Sequence, residues 1–433
     1  MWNRHCESMS RDELERLQLA RLQDTVRRAF DHVPFYRKAF DDKDIKPHDV
    51  KSLEDLSSLP FTTKANFRDE YPLGLLAVPS YEIVRIHASS GTTGKPVIAA
   101  YTRHDMDVWA EVMARVYISA GATSGDIVQN SYGYGLFTGG LGFHLGAEKI
   151  GAAVIPISGG LTRRQIMLMK DLGSTVLACT PSYSLVLAEA AAEMGPNVRE
   201  SLRLRLGLFG AEPWSEAMRQ EIEEKWGLQA INVYGLTEII GPGVACECVH
   251  KNGLHVCEDH FLPEIIDPVT GKPLDYGQEG ELVLTTLTKE ALPVIRFRTR
   301  DRTTLNPERC ACGRTLVRMG RITGRTDDML IIRGVNVFPS QIEGVLVKIR
   351  ELEPQYMIVV DRQKDRLDEL EVRVEATDAL WALGTSRIED TERKVHNEIT
   401  QVVGIAANVR VVEPRSIQRS EGKAKRIFDL REL

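Results

Sequence analysis

An alternation of short apolar runs with longer helical stretches, between residues 83 and 211, limits the fold more than any other feature of the chain. The apolar runs occupy residues 83–86, 127–129, 153–157, 175–178 and 204–209. Between them, residues 103–120 and 162–172 carry apolar side chains at the spacing of amphipathic helices. Strands that alternate with helices are typical of a layered α/β sheet. The sequence therefore predicts an α/β fold with a large, multi-layer N-terminal domain.

Two later changes of pattern predict further units. Residues 279–288 and 292–298 form β-rich segments with turn residues between them, which predicts a smaller β subdomain attached to the large domain. After Arg325-Thr326-Asp327-Asp328, strands are expected at 329–332, 357–361, 369–375 and 409–412, and helices at 339–349 and 387–403. We therefore expect a large domain over residues 1–326 and a small, mobile α+β domain over residues 327–433.

Composition excludes several classes of protein. The 433 residues have a formal net charge of −6 and a pI near 6.0, so the chain lacks the basic surface on which nucleic-acid binding depends. No apolar run approaches the roughly 20 residues of a spanning helix, and no secretory signal is recognisable. Seven unevenly spaced cysteines fit a reducing compartment better than a disulfide framework. We expect a cytoplasmic protein without nucleic-acid or membrane partners.

A loop of small, hydroxylated residues has the composition of a phosphate-binding loop. It reads Ser89-Ser90-Gly91-Thr92-Thr93-Gly94-Lys95-Pro96. Its glycines let the backbone approach an anion, its hydroxyls donate hydrogen bonds and its lysine supplies positive charge. It differs from a Walker A loop because only two residues separate its glycines and a proline replaces the metal-binding hydroxyl. The pattern predicts a mobile phosphate loop between two strands, and the alternative is a hairpin without chemical function.

Further motifs follow this loop in an order that makes the pattern specific. They are Gly210-Ala211-Glu212-Pro213, Tyr234-Gly235-Leu236-Thr237-Glu238, Gly324-Arg325-Thr326-Asp327 and Ser420-Glu421-Gly422-Lys423. The first follows an apolar strand, and the carboxyl edge of an α/β sheet commonly carries ligand loops. Between the second and the third, the carboxylate of Asp301 could accept hydrogen bonds from two sugar hydroxyls.

These motifs resemble those of the adenylate-forming superfamily, which includes acyl-CoA synthetases, luciferases and peptide-synthetase adenylation domains. Residues 89–96 are similar to its phosphate loop, residues 234–238 to its Tyr-Gly-x-Thr-Glu motif, and residues 422–423 to its C-terminal lysine motif. Other segments look like the phenylacetate-CoA ligase family, namely residues 59–64, 241–248, 258–261, 285–290 and 331–339. The likeness covers nearly the whole chain.

The resemblance implies a role for each matching residue. The phosphate loop, from Ser89 to Lys95 and including Ser90, Gly91, Thr92, Thr93 and Gly94, would clamp the β and γ phosphates of ATP. The Gly210, Ala211, Glu212 and Pro213 segment would border the adenine, with Tyr234 and Gly235 near the base. Thr237 would contact the α-phosphate and Glu238 would hold Mg²⁺. Asp301 and Arg325 would bind the ribose, Asp327 would be the hinge of the C-terminal domain, and Lys423 would be the adenylation lysine.

The implied reaction joins phenylacetate, or a similar aryl acid, to coenzyme A, with release of AMP and pyrophosphate. A carboxylate that attacks the α-phosphorus of ATP brings anions together, so Mg²⁺ and a lysine are needed to neutralise the charge. CoA then attacks the acyl adenylate, and a mobile C-terminal domain would clear the lysine from its path. One alternative transfers the acyl group to a carrier-protein pantetheine or an amine, and another is a non-catalytic nucleotide-binding module. The expected assembly, a homodimer, is not fixed by any residue pattern.

An aromatic, glycine-rich stretch at residues 132–140 corresponds to the acyl pocket of the superfamily that the chain resembles. Tyr132 and Phe137 could provide flat walls for an aryl acid, with Ala211 and Gly235 completing the pocket. The alternative is that these aromatic side chains belong to the core.

The cysteines predict a structural zinc site. Cys310-Ala311-Cys312-Gly313 is a tight turn with two thiols, and Cys246, Cys248, His250, His255 and Cys257 offer further ligands. A tetrahedral site needs four ligands, and we expect Cys248, His255, Cys310 and Cys312 because Cys248 and His255 fall in a stretch that looks like the ligase family. Unligated thiols are the alternative.

Overall fold

The computed structural model describes residues 1–89, 95–195, 198–326, 330–332, 335–361, 368–419 and 426–430. Some predicted site residues lie outside these ranges, namely Ser90, Gly91, Thr92, Thr93, Gly94, Asp327 and Lys423. Their roles are therefore argued from the sequence alone. Within the described ranges, no helix is both long enough and apolar enough to cross a membrane.

The α-helices of the large N-terminal domain include the two that the apolar periodicity predicted. The helices of this domain are α1 (Arg4–Glu7), α2 (Arg11–His32), α3 (Pro34–Asp41), α4 (Lys64–Asp69), α5 (Arg103–Ser119), α6 (Thr138–Lys149), α7 (Thr162–Leu172), α8 (Pro181–Glu193) and α9 (Glu216–Trp226). The predicted helices at 103–120 and 162–172 are confirmed as α5 and α7. Helix α5 begins where Thr102 and Asp105 form a reciprocal capping box, a local signal that fixes its first turn.

The strands that the structure describes in this domain form two sheets and a hairpin. They are β1 (Arg85–Ala88), β2 (Ile98–Tyr101), β3 (Ile127–Asn130), β4 (Ala153–Ile155), β5 (Val176–Cys179), β6 (Leu206–Gly210), β7 (Gln229–Leu236), β8 (Gly241–Glu247), β9 (Leu254–Val256), β10 (Phe261–Ile266), β11 (Gly280–Thr286), β12 (Phe297–Thr303), β13 (Leu305–Asn306), β14 (Arg318–Met319) and β15 (Gly324–Arg325). Strands β1 and β2 pair antiparallel, so the predicted strands on each side of the phosphate loop are confirmed.

The main sheet is parallel in one half and antiparallel in the other. Its order is β13-β14-β9-β8-β7-β6-β5-β3-β4, and the strands from β7 to β4 run parallel. Strands β5 and β6 are buried throughout, as expected for parallel strands covered on both faces. The predicted α/β class is confirmed. The carboxyl ends of β3, β5 and β6 meet at one edge, where such sheets bind ligands.

The predicted β subdomain is an antiparallel sheet of order β10-β11-β12-β15. Residues 279–288 contain β11, but the second predicted segment is displaced, because β12 begins only at Phe297. The apolar residues 292–295 and the following Arg296 are buried without forming a strand, and Arg296 has a positive φ of 46° that interrupts extended backbone. Apolar composition alone could not distinguish this buried turn from a strand.

The C-terminal part is a separate α+β unit. It contains β16 (Leu330–Ile332), β17 (Val335–Val337), α10 (Pro339–Leu346), β18 (Leu352–Asp361), β19 (Glu369–Ala376), α11 (Asp378–Ala382), α12 (Thr385–Val403), β20 (Asn408–Val412) and β21 (Ile427–Asp429). Its sheet has the order β20-β19-β18-β21, and its apolar side chains form a core of their own between residues 330 and 411. The boundary between residues 326 and 327 stays a prediction.

Candidate active site

A cavity of about 580 Å³ lies where the parallel strands end, between the main sheet and the antiparallel sheet. Its walls come from β6, β7 and β12 and from the loops that follow β3, β5, β6 and β7. The predicted site residues that line it are Ser89, Tyr132, Phe137, Gly210, Ala211, Glu212, Pro213, Tyr234, Gly235, Thr237, Glu238, Asp301 and Arg325. The fold therefore brings residues from six separate stretches of the sequence to one place.

The loop after β6 leaves the sheet through two constrained positions. A Cβ atom on Gly210 would lie 2.1 Å from the carbonyl oxygen of Val233, so only glycine fits there. Ala211 has a φ of 72°, in the left-handed region that few side chains adopt. The carboxylate of Glu212 accepts a 2.8 Å hydrogen bond from the backbone N–H of Ser182, in the first turn of α8. These contacts fix the position of the loop at the cavity wall.

Tyr234 and Arg325 both bind the carboxylate of Asp301. The phenol of Tyr234 donates to Oδ2 at 2.6 Å, and Nη1 of Arg325 donates to Oδ1 at 2.9 Å. Asp301 and Arg325 are direct register partners of β12 and β15. Burial, together with the charge of Asp301, raises the pKa of Tyr234 well above its ordinary value, so the phenol keeps its proton and remains a donor.

Strand β7 carries the next functional side chains. It runs from Gln229 through Tyr234 and Gly235 to Leu236, so the first residues of the Tyr-Gly-x-Thr-Glu motif belong to the strand. Beyond it, the hydroxyl of Thr237 lies 3.5 Å from that of Thr138, the first residue of α6. Glu238 is buried, and Oε1 of its carboxylate lies 3.8 Å from Nζ of Lys64.

Lys289 contacts the backbone of Glu238 without itself lining the cavity. Its Nζ donates to the backbone carbonyl of Glu238 at 3.4 Å and lies 5.2 Å from the ring centroid of Tyr101. Burial lowers the pKa of Lys289 to about 8, against the opposing effect of Asp105 and Glu238. A cation therefore lies beside Glu238, whose predicted partner is Mg²⁺.

The described ends of the phosphate loop are fixed by the hairpin. The backbone N–H of Ser89 donates to the carbonyl of Val97 at 2.9 Å, and that of Val97 donates to the Ser89 hydroxyl at 3.0 Å. Nζ of Lys95 lies 5.1 Å from the ring centroid of Tyr71. Two of the predicted phosphate ligands, Ser89 and Lys95, have described side chains. Ser89 lines the cavity and Lys95 does not.

Aromatic side chains close the opposite end of the cavity. The ring of Tyr132 stacks on that of Phe143, with centroids 4.6 Å apart and planes 12° apart, and Phe137 lies at the opening. The hydroxyl of Tyr132 is buried and has no hydrogen-bond partner among the described atoms. A Cβ atom on Gly139 would lie 2.6 Å from the Phe137 ring, so a glycine is needed between the two aromatic side chains.

Several residues of this cavity have no role that the sequence predicts. Lys64 belongs to one of the segments that resemble the ligase family, but no local pattern connects it with Glu238. Trp214 donates from its indole to Oδ1 of Asn232 at 3.0 Å, and both residues line the cavity. Asn232 lies two residues before Tyr234, the first residue of the Tyr-Gly-x-Thr-Glu motif. This closeness in sequence is the signal that could have identified it.

The predicted zinc ligands lie together at the far edge of the main sheet. The ligand atoms of Cys248, His255, Cys310 and Cys312 are all within 4.8 Å of one another. Sγ of Cys248 is 3.8 Å from Sγ of Cys310, and Sγ of Cys312 is 3.5 Å from Nε2 of His255. Cys248 follows β8, His255 lies on β9, and the other two lie on the loop between β13 and β14.

Comparison with known proteins identifies the class of this site. The profile of the family described as AMP-binding enzyme matches residues 30–287, and that of the AMP-binding enzyme C-terminal domain matches residues 334–431. The chain belongs to the AMP-binding enzyme family.

Full-length relatives narrow the class. The phenylacetate-coenzyme A ligase of Thermus thermophilus is 48% identical over 445 residues, which span 100% of both chains. That of Escherichia coli (strain K12) is 49% identical and covers 99% of this chain and 97% of its own. Within the family, the chain belongs with the phenylacetate-coenzyme A ligases.

A solved structure has the same architecture. The 2-hydroxyisobutyryl-CoA ligase in its postadenylation state, in complex with R3-HIB-AMP, is 30% identical and superposes with a TM-score of 0.91 over 98% of this chain and 91% of its own. The same ligase in its thioesterification state superposes with a TM-score of 0.73 over 99% of this chain and 92% of its own.

Proposed function

We propose that this protein ligates phenylacetate, or a similar aryl carboxylic acid, to coenzyme A at the expense of ATP. The observation that carries the proposal is the shared cavity, in which the Tyr234–Asp301–Arg325 group and Glu238 face an aromatic wall formed by Tyr132 and Phe137. In the first step a carboxylate oxygen attacks the α-phosphorus and pyrophosphate leaves. In the second, the CoA thiol loses its proton, its sulfur attacks the acyl carbon, and AMP leaves.

The nucleotide is proposed to lie along β7 and β12. Asp301 and Arg325 would bind the ribose hydroxyls, because the carboxylate is held at a strand register position and faces the cavity. The segment from Gly210 to Pro213 would border the adenine, with Tyr234 nearby. Thr237 would donate to the α-phosphate, and residues 89–95 would enclose the outer phosphates. These assignments rest on the resemblance together with the placement of the described side chains around one cavity.

Glu238 is the residue proposed to hold Mg²⁺. Its carboxylate is a hard oxygen donor, buried at the cavity wall beside Thr237. Bound Mg²⁺ would neutralise charge on the phosphates. Lys64 would add a second positive charge near these phosphates, since its Nζ lies 3.8 Å from Oε1 of Glu238. Lys423 would add a cation in the adenylation step, and Asp327 would be the hinge that removes it.

The cysteine cluster is proposed to bind a structural zinc ion. With a Zn–S bond of about 2.3 Å, two thiolates of a tetrahedral site lie about 3.8 Å apart, and a thiolate and an imidazole nitrogen about 3.6 Å apart. The distances of 3.8 Å between Cys248 and Cys310 and of 3.5 Å between Cys312 and His255 agree with these values. All four positions would be protein ligands, so the ion would hold the loop between β13 and β14 on the sheet edge and take no part in the reaction.

A screen of carboxylic acids tests the proposed reaction. Purified protein with ATP, Mg²⁺ and free CoA should release AMP with phenylacetate and related aryl acids, and the thioester should accumulate. A preference for long aliphatic acids would refute the aryl pocket. Acid-dependent pyrophosphate exchange without thioester formation from free CoA would instead favour transfer to a carrier-protein pantetheine or an amine. A homodimer stays a prediction, which light scattering can test.

A further inference from the structure

An ion pair joins the two domains at a distance from the cavity. Arg419, in the segment after β20, donates from Nε and Nη2 to the carboxylate of Glu189 at 3.2 and 3.3 Å. Glu189 lies on α8 of the large domain, 230 residues earlier in the chain. The two side chains are 20% and 22% exposed. A fork of two parallel bonds in a mostly buried setting is the geometry in which an arginine–carboxylate pair is strong.

Arg419 is also held within its own domain. Its Nη1 and Nη2 donate to Glu375 of β19 at 2.6 and 2.9 Å. The fully buried carboxylate of Glu375 accepts further hydrogen bonds from the backbone N–H groups of Arg415, at 3.0 Å, and Ile417, at 2.7 Å. Glu375 therefore fastens residues 415–419 to the C-terminal core without help from Glu189. A change at Glu189 would alter the contact between the domains and leave this segment in place.

The ion pair lies next to the lysine motif in the sequence. Arg419 stands four residues before Lys423, and Arg426 stands three residues after it. Arg426 is bound within the C-terminal domain, since its Nη1 donates to Glu343 at 3.0 Å and its guanidinium lies 4.6 Å from the ring centroid of Tyr356. Because four residues span at most about 14 Å, an anchor at Arg419 restricts the positions that Lys423 can reach.

Helix α8 connects this anchor to the cavity. Its N-cap residue Thr180 lines the cavity, and Ser182 binds the carboxylate of Glu212. Glu189 lies about two turns further along the same helix. The structure that contains this ion pair superposes with a higher TM-score on 2-hydroxyisobutyryl-CoA ligase in its postadenylation state (0.91) than in its thioesterification state (0.73).

We propose that Glu189 is a positioning residue for the adenylation half-reaction, which it serves by binding Arg419, four residues before Lys423 in the sequence, and so holding the C-terminal domain on the large domain. This inference rests on the proposed function. The contact belongs to one domain arrangement and must break when the C-terminal domain turns to admit CoA. Glu189 should therefore support adenylate formation and contribute nothing to thioester formation.

Separate assays of the two half-reactions test the proposal. Adenylation is measured as phenylacetate-dependent exchange of pyrophosphate into ATP, and thioester formation as consumption of supplied phenylacetyl-adenylate by CoA. Glu189→Gln should lower the adenylation rate about 3- to 10-fold and leave the thioester step within about twofold of wild type. Glu189→Asp keeps the charge, so its adenylation rate should lie between those of wild type and Glu189→Gln. Raising the salt concentration should slow wild-type adenylation more than that of Glu189→Gln.

The matched control is Glu224→Gln, which removes an exposed carboxylate from α9 of the same domain. It should leave both half-reactions unchanged. Equal loss of both half-reactions in Glu189→Gln, together with a lower melting temperature, would show that Glu189 is merely structural and overturn the proposal. An unchanged adenylation rate would also overturn it while sparing the proposed function. Wild-type protein that exchanges pyrophosphate with no aryl acid would refute the proposed function, and this inference with it.

Discussion

The phenol of Tyr234 donates a 2.6 Å hydrogen bond to Oδ2 of Asp301, whose other oxygen accepts from Arg325. These three side chains come from β7, β12 and β15, so the contact joins the main sheet to the antiparallel sheet. It leaves the carboxylate facing the cavity in a fixed orientation. A sugar hydroxyl that donates to this carboxylate would therefore bind without the free-energy cost of ordering the Asp301 side chain.

The first prediction concerns this carboxylate. Asp301→Ala should raise the KM for ATP by about 10- to 100-fold, since hydrogen bonds to a charged acceptor contribute about 1.5 to 3 kcal/mol each. Tyr234→Phe removes one donor to Asp301 and retains the ring, so the increase should be smaller. The KM for the aryl acid should change little in either variant. Steady-state kinetics with ATP and acid varied separately check this, and equal effects on both substrates would contradict the ribose assignment.

The second prediction concerns Glu238. Glu238→Gln keeps the shape of the side chain and removes its charge, so it should weaken Mg²⁺ binding and lower the rate of pyrophosphate exchange by at least about 100-fold. The thioester step from supplied acyl-adenylate should be much less affected, because pyrophosphate has already left. The exposed Glu224→Gln serves again as the control. A wild-type exchange rate in Glu238→Gln would rule out a role in metal binding.

The third prediction concerns the metal cluster. Wild-type protein should contain about one zinc ion per chain by elemental analysis, and Cys312→Ser should lose it and melt several degrees lower, because the loop between β13 and β14 is no longer held. Cys246→Ala is the matched control. Cys246 is buried on β8 two residues from Cys248 but does not belong to the cluster, so this variant should keep its zinc. Metal-free wild-type protein would refute the site.

The fourth prediction concerns the buried His260, whose Nδ1 lies 2.9 Å from the hydroxyl of Thr288. Burial is the main cause that lowers the pKa of His260 to about 4, and Arg115 and Arg21 act in the same direction, against the opposing effect of Asp259 and Glu111. The unfolded chain, with an ordinary histidine pKa near 6.5, binds the proton more readily than the folded protein between these values. Stability should therefore fall as the pH drops from about 6.5 to 4, by up to about 3 kcal/mol in total.

Denaturant unfolding of His260→Gln checks this assignment. The variant lacks the titrating group, so its free energy of unfolding, taken relative to its own value at pH 7, should fall less steeply over the same pH interval. Parallel curves for variant and wild type would show that other groups cause the acid sensitivity.

Local sequence signals determined much of the fold. The predicted span of α7 agrees with the structure at both ends, and that of α5 to within one residue, because helical periodicity and capping are properties of neighbouring residues. Helix α6 was not predicted, since its Thr138-Gly139-Gly140 start has low helix propensity. Its glycines serve packing, because a Cβ atom on Gly146 would lie 2.5 Å from that of Met113.

For the candidate site, too, some features follow from the sequence and others only from the tertiary structure. The sequence by itself determined the α/β class and the motifs with their order, because residue types and local spacing carry that information. Spacing left several Cys and His candidates for the metal site, and the resemblance to the ligase family selected the four that cluster. Only the tertiary structure decided which motif residues meet. Lys64 reaches Glu238, Tyr234 reaches Asp301 and Glu189 reaches Arg419 across 67 to 230 residues. Such contacts depend on how strands are ordered and domains are packed, and no local pattern of side chains records that arrangement.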